Sequence, residues 1–202
     1  MLTTYHDPVT FRFNLNAFVQ ALRNVTFILQ SEDIKPPGFD SWYSSKQLEM
    51  RNDGDLRRFV EARNVVVKQS MLNLRSTCYM GVFRGRQLKA AIGGPVPPCI
   101  SSQDYLERTK RFAYRSLIDE GHAAAGEQLG VERTWIVPEL GEGEVVRQCA
   151  IALAKIGLLI KGAYELFDLP NFDANIDLPD TRRFRVLLET DIDPSLPEKW
   201  GW

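Results

Sequence analysis

The chain has 202 residues, 44% of them hydrophobic and 25% charged, with a formal net charge of -1 at pH 7. That balance excludes collagen-like, coiled-coil and strongly disordered chains, and it supplies no global attraction to nucleic acid or anionic lipid, so any such binding must come from a local patch. A chain of this length buries roughly 70% of the surface its unfolded form exposes, so one core suffices without metals or disulfides.

Cys78, Cys99 and Cys149 are odd in number, far apart and without CxxC spacing. They are expected to be small buried hydrophobes in a reducing compartment. Residues 1–14 lack the basic-then-apolar pattern of a secretory signal, and the most apolar stretch, 149–160, is interrupted by Lys155 and too short to span a bilayer. The expected setting is cytoplasmic, with no membrane partner.

Asn14 or Asn16 can cap a helix over residues 17–30, where Phe18, Ala21, Leu22, Val25 and Leu29 recur at helical spacing. Lys35-Pro36-Pro37-Gly38 ends it, and a shorter helix over 41–50 carries Trp42 and Tyr43. A third helix, 55–69, places Leu56, Phe59, Val60 and Val67 on one arc. Residues 71–92 are β-friendly, with Arg84-Gly85-Arg86 as the turn between strands 76–83 and 87–92. Gly93-Gly94-Pro95 through Pro98 is expected to end the hairpin. Ser101 and Asp104 form a capping-box arrangement for a fourth helix running to about residue 128. A final helix, 144–167, is apolar almost all round and is expected at the centre of the fold. The tail offers one strand candidate, 183–189, able to join the hairpin. The expected fold is mainly α: a bundle of about five helices over 1–169 with a small β-hairpin inserted at about 71–92, followed by an extended tail, 170–202.

On the wheel of the third helix, Arg63 falls inside the arc of Leu56, Phe59, Val60 and Val67. A guanidinium does not shed its proton, and an unpaired buried charge costs several kcal/mol. Arg63 therefore pairs with a carboxylate, snorkels to the edge, or points into a polar site where its fork would bind phosphate. Asn64 and Lys68 flank it at i, i+4, with Arg57 and Glu61 on the same flank.

The run Glu61-Ala62-Arg63-Asn64-Val65-Val66-Val67-Lys68 resembles the signature helix of the HEPN superfamily (higher eukaryotes and prokaryotes nucleotide-binding). Its members carry an arginine, usually followed by a polar residue such as asparagine, then a histidine four to six residues on. The resemblance covers residues 17–69. It implies an all-helical plan and a homodimer whose signature helices form one composite cleft, and many members are metal-independent endoribonucleases. Carried over, Arg63 would steer or stabilise a scissile phosphate and Asn64 would orient it, with Lys68 in the catalytic position of the histidine. An imidazole exchanges protons near neutrality, whereas an ammonium holds its proton there and is a poor base, so binding survives this replacement more easily than cleavage.

Arg108, Arg111 and Arg115 recur at i, i+3 and i+7 along the fourth helix, opposite Tyr105, Phe112, Ala113 and Leu117. The stripe is a solvated face, or it contacts nucleic-acid phosphates without base specificity. His6 and His122, the two histidines, have no neighbours at metal-ligand spacing. His122 as a triad base would lack a nucleophile elbow. Gly141-Glu142-Gly143-Glu144 lacks the third glycine of a dinucleotide fingerprint, and Glu139, Glu142 and Glu144 suit a helix N-terminus better than a pyrophosphate.

The expected function is therefore a HEPN-like protein, homodimeric, without metal or cofactor, that binds RNA or a nucleotide through a basic inter-helix cleft, with nuclease activity weak or absent. The alternative is a non-catalytic helical protein-interaction module in which Arg63 is a paired core residue. An active metal-independent endoribonuclease using Lys68 is the third reading.

Overall fold

A computed structural model describes residues 1–69, 71–118, 126–170 and 180–199. In chain order its elements are α1 (Pro8–Ser31), α2 (Phe39–Asn52), α3 (Gly54–Gln69), β1 (Arg75–Arg84), β2 (Gln87–Val96), α4 (Ser102–Ser116), β3 (Glu127–Ile136), α5 (Val145–Leu166), α6 (Thr181–Arg185), β4 (Val186–Leu188), α7 (Glu189–Ile192) and α8 (Leu196–Lys199). They belong to two compact units that interleave along the chain. A sheet unit takes 1–12, 74–135 and 179–202, and a helical unit takes 13–73 and 136–178.

In the helical unit each start has a local cause. Asp53 accepts the amide hydrogens of Asp55 and Leu56 at 2.9 and 3.0 Å, which opens α3. Glu144 accepts from the Arg147 amide at 2.9 Å and opens α5. Gly38, at φ 85°, lets the chain turn from the proline-rich linker into α2. The α3 helix buries Leu56, Phe59, Ala62 and Val66 and packs on α2, α5 and the 138–140 turn. Phe39 stacks on Tyr43 and meets Phe167 edge-on. The α5 helix buries Val145, Val146, Cys149, Ala152, Ile156 and Leu159, yet leaves Leu153 and Leu158 exposed.

The α1 helix starts earlier than the expected caps, and Asn14 and Asn16 lie inside it. Asp7 accepts the amide hydrogens of Val9 and Thr10 at 3.0 and 3.3 Å and the Thr10 hydroxyl at 2.7 Å. Pro8 takes the first helical position, where its missing donor costs nothing.

The mainly α expectation is overturned: the fold is α+β, with a four-stranded antiparallel sheet in the order β2-β1-β3-β4. The hairpin forms about Gly85, at φ 57°. It is part of a larger sheet because β3 occupies residues expected to be helix or loop. The α4 helix, capped by Ser101 as its Oγ accepts the Asp104 amide at 3.0 Å, ends at Ser116 rather than near 128. In β3, Leu129, Val131, Arg133 and Trp135 are all buried, an alternation of period two that Arg133 disguises in the sequence. The tail candidate shrinks to β4, which pairs antiparallel with β3 from Gly130↔Leu188 to Glu132↔Val186, so it extends the sheet beyond β3 and not from the free side of the hairpin.

A second correction concerns β2, which runs through Gly93-Gly94-Pro95 to Val96 where a break was expected. It is an edge strand, where proline need not donate to a neighbour. A Cβ at position 93 would lie 2.0 Å from the Cys78 carbonyl oxygen, so the close strand approach requires glycine. The shift between Val82↔Ala90 and Phe83↔Leu88 leaves Lys89 as an extra residue, and this charged bulge and Pro95 guard the edge from both ends.

One sheet face packs Cys78, Met80, Val96, Leu129 and Val131 against Leu106 and Ala113 of α4. On the other, Phe83 meets Val186, Leu188 and Leu88. Tyr5, Phe11, Trp135 and Phe184 form an aromatic cluster in which Phe11 stacks on Trp135 at 5.2 Å. All three cysteines are free, but Cys99 is exposed rather than buried.

Candidate functional site

The α3 helix turns Leu56, Phe59, Ala62 and Val66 inward, while Val60 and Val67 are 46% and 56% exposed. The direction of burial is therefore rotated from the arc read in the sequence, and Arg63 sits at its margin, half-buried. Its Nη1 lies 3.5 Å from Asn64 Oδ1, and among the described residues no carboxylate pairs with it. Asn64 and Lys68 are exposed. Arg57 is exposed too, held loosely by Glu61 at 3.9 Å. Four candidate residues thus share one accessible helix. Arg108, Arg111 and Arg115 are exposed on α4, in the sheet unit.

The helical unit also contains a cavity of about 300 Å³ lined by residues of α1, α2, α3 and α5. Its floor is apolar, from Val19, Leu22, Leu56, Phe59 and Ile156. One wall is a closed hydrogen-bond chain: Gln30 Nε2 donates to Tyr43 Oη at 2.8 Å, and Tyr43 Oη donates to the Thr26 carbonyl at 3.2 Å. Three arginines line it, Arg23, Arg51 and Arg57, all exposed residues, and among the described residues no carboxylate does. Arg23 is oriented by donating to the Thr26 hydroxyl. Of the three, only Arg57 was a candidate from sequence. Arg23 and Arg51 are isolated bases on their helices, and nothing in local spacing says that they line the same space.

The helices beside the cavity are tied by Lys155 of α5, whose ammonium lies 2.6 Å from Asp53 and 2.7 Å from Asp55. Burial alone would raise the Asp53 pKa, but the Lys155 ammonium and the Leu56 amide outweigh it and hold the carboxyl below the usual aspartate range. Asp53 so links the α3 cap to α5.

In the sheet unit the notable polar group is one that no local sequence pattern singles out. Arg133 is fully buried, with its guanidinium 4.2 Å from the Trp135 ring centre. Its Nη2 donates to the Ile100 carbonyl at 2.5 Å and reaches Ser76 Oγ at 3.4 Å, while Nε and Nη1 are buried without a hydrogen-bond partner among the described residues. His6 is close by, its Nδ1 2.8 Å from Ser102 Oγ. Burial, reinforced by the charge of Arg133, lowers the His6 pKa from 6.5 to about 4, so the imidazole is neutral at pH 7. Burial likewise pushes the Cys78 thiol up, despite the nearby Arg133 charge. The second histidine, His122, lies outside the described residues. Among the described residues no group of three His, Cys, Asp or Glu could hold a metal ion. Glu144 acts as the α5 cap, the role its charge suggested.

Among the described residues no helix is long and apolar enough to cross a membrane. The family model of bacteriophage lambda protein ea47 matches residues 1–182. Over 76 residues the chain is 40% identical to "Protein ea47" of Escherichia phage lambda, a match covering 37% of this chain and 18% of that protein's length. No solved structure matches.

Proposed function

The chain belongs to the bacteriophage lambda protein ea47 family, and with that as premise we propose that it binds RNA or a nucleotide through the basic face of its helical unit, in a HEPN-like manner, with nuclease activity weak or absent. The observation that carries this reading is Arg57, which stands on α3 with Arg63, Asn64 and Lys68 and also lines the cavity beside Arg23 and Arg51. Arg57, Asn64 and Lys68 share one exposed flank of α3, with Glu61 on the same flank 3.9 Å from Arg57, and with Arg63 on the neighbouring flank they would supply the local patch that a chain of net charge -1 needs for phosphate contact. In the sheet unit, the exposed α4 stripe would by itself contact phosphates without base specificity. Lys68 stands where an imidazole would exchange protons, which is why binding is favoured over cleavage.

A two-fold dimer that buries Val60 and Val67 beside Arg63 would make the composite cleft, and sedimentation at micromolar concentration tests it. The setting that fits three free cysteines is the cytoplasm. The binding itself is tested by fluorescence anisotropy of a labelled single-stranded RNA. Arg57→Ala and Lys68→Ala should each weaken binding of every sequence alike and flatten the salt dependence by about one unit of slope. Unchanged affinity and slope would overturn the reading in favour of a protein-interaction module. One observation favours that second reading: Phe13, Phe27 and Ile28 of α1 are 70%, 62% and 58% exposed.

A further inference from the structure

The cavity in the helical unit says more about its ligand than that it is anionic. Its volume of about 300 Å³ lies at the lower end of small-molecule sites, so it holds one compact body and not a stretch of polymer. Its charge is also countable. Arg23, Arg51 and Arg57 bring three guanidinium groups, among the described residues no carboxylate lines the space, and the Glu61 carboxylate stands 3.9 Å from Arg57 on the solvent side with its side chain 66% exposed. A net excess of about two positive charges matches a dianion, and forked donors suit the oxygens of a phosphate. Below them the floor of Leu22, Phe59 and Ile156 suits a flat ring system. The Thr26, Gln30 and Tyr43 groups already bond one another. Gln47 lines the cavity and bonds no described residue, so its amide remains to read a ring edge.

We propose that this cavity binds a phosphomonoester dianion on a single nucleoside, with the phosphate on Arg23, Arg51 and Arg57 and the ring body over Leu22, Phe59 and Ile156. This rests on the reading that the helical unit binds nucleotides, and it narrows that reading to one unit with a terminal phosphate. The same chemistry is offered by a free nucleoside 5′-monophosphate and by the 5′-phosphorylated end of an RNA strand.

Calorimetric titration of the whole chain with AMP, GMP, CMP and UMP, beside inorganic phosphate and adenosine, tests it. At least one nucleotide should bind tenfold or more tightly than either fragment. Arg23→Ala and Arg51→Ala, both at exposed positions, should each weaken that binding at least tenfold with unchanged circular dichroism. Competition by a 5′-phosphorylated RNA trinucleotide, but not by its 5′-hydroxyl form, assigns the strand end, and failure of both to compete assigns the free nucleotide. Nucleotides that bind no better than inorganic phosphate, or binding indifferent to Arg23→Ala and Arg51→Ala, would overturn the proposal. If a long 5′-hydroxyl RNA still binds in that case, the cavity assignment alone falls. If it does not, the wider reading falls with it.

Discussion

Among the described residues, Arg133 of the sheet unit is sealed against Trp135 with two of its nitrogens unpartnered, whereas Arg63 of the helical unit stands half-buried beside Asn64 with no carboxylate on it. Both residues fall in line with apolar side chains once the period of the element is applied, and those periods decide their fates. On a strand alternate side chains share one face, so Arg133 between Val131 and Trp135 goes inward with them. On a helix each residue turns about 100°, so burial can swing toward Ala62 and Val66 and leave Arg63 at the margin. An arginine embedded in an apolar pattern thus marks the core in one unit and an accessible margin in the other.

The largest expected effect breaks the comparison on its buried side. Arg133→Ala should cost about 2–5 kcal/mol in urea unfolding, because it opens a void over Trp135 that the sheet cannot close. Arg133→Met restores the volume without the uncompensated charge and should return within about 1 kcal/mol of the parent or exceed it. A methionine variant less stable than the alanine one would show that the charge itself is needed.

His6 sharpens the same side through pH. Its folded pKa of about 4 lies below the ordinary 6.5, so the unfolded chain binds the proton more tightly between those values. Stability is then complete above about pH 6.5 and declines as the pH falls toward 4, by about 2–3 kcal/mol in all. His6→Gln should remove that slope from a set of denaturation curves between pH 4 and 7, and a slope that persists would assign the protons to other groups.

Asp53 supplies the counterpart in the helical unit, with a smaller effect. Asp53→Ala removes the α3 cap and one partner of Lys155 and should cost about 1–2 kcal/mol, while Asp53→Asn keeps the cap and should cost about half as much. The folded carboxyl is depressed below 3.8, so its contribution is present above that value and lost only as the pH falls further. The His6 and Asp53 windows therefore separate, and unfolding curves at pH 5 and pH 3 on both variants tell them apart.

These particulars also show what was legible in the sequence. Where the period is clear, as for Leu56 and Phe59 of α3, or a cap announces the start, as at Ser101 with Asp104, the element begins within a residue of the expected place. The Asp7-Pro8 start was equally available, because an acceptor followed by proline is a local signal. Strand β3 was hidden because its one buried cation breaks the alternation that would have announced it. The full length of edge strand β2 is not legible locally, because glycine and proline mark a break only when the neighbouring strand is ignored. Of the candidate site, α3 and its exposed bases could be read locally, but the meeting of Arg23 and Arg51 with Arg57 could not, since residues on three helices converge only through tertiary packing.

The central claim is that α3 presents a site and not a sealed core, and Arg63→Ala measured for stability and binding in one preparation tests it most directly. The account predicts a loss of under about 1 kcal/mol in urea unfolding, in contrast to Arg133→Ala, together with abolished binding of a labelled single-stranded RNA. An Arg63→Ala protein that loses several kcal/mol, or that keeps its fold and binds RNA as the parent does, would contradict it.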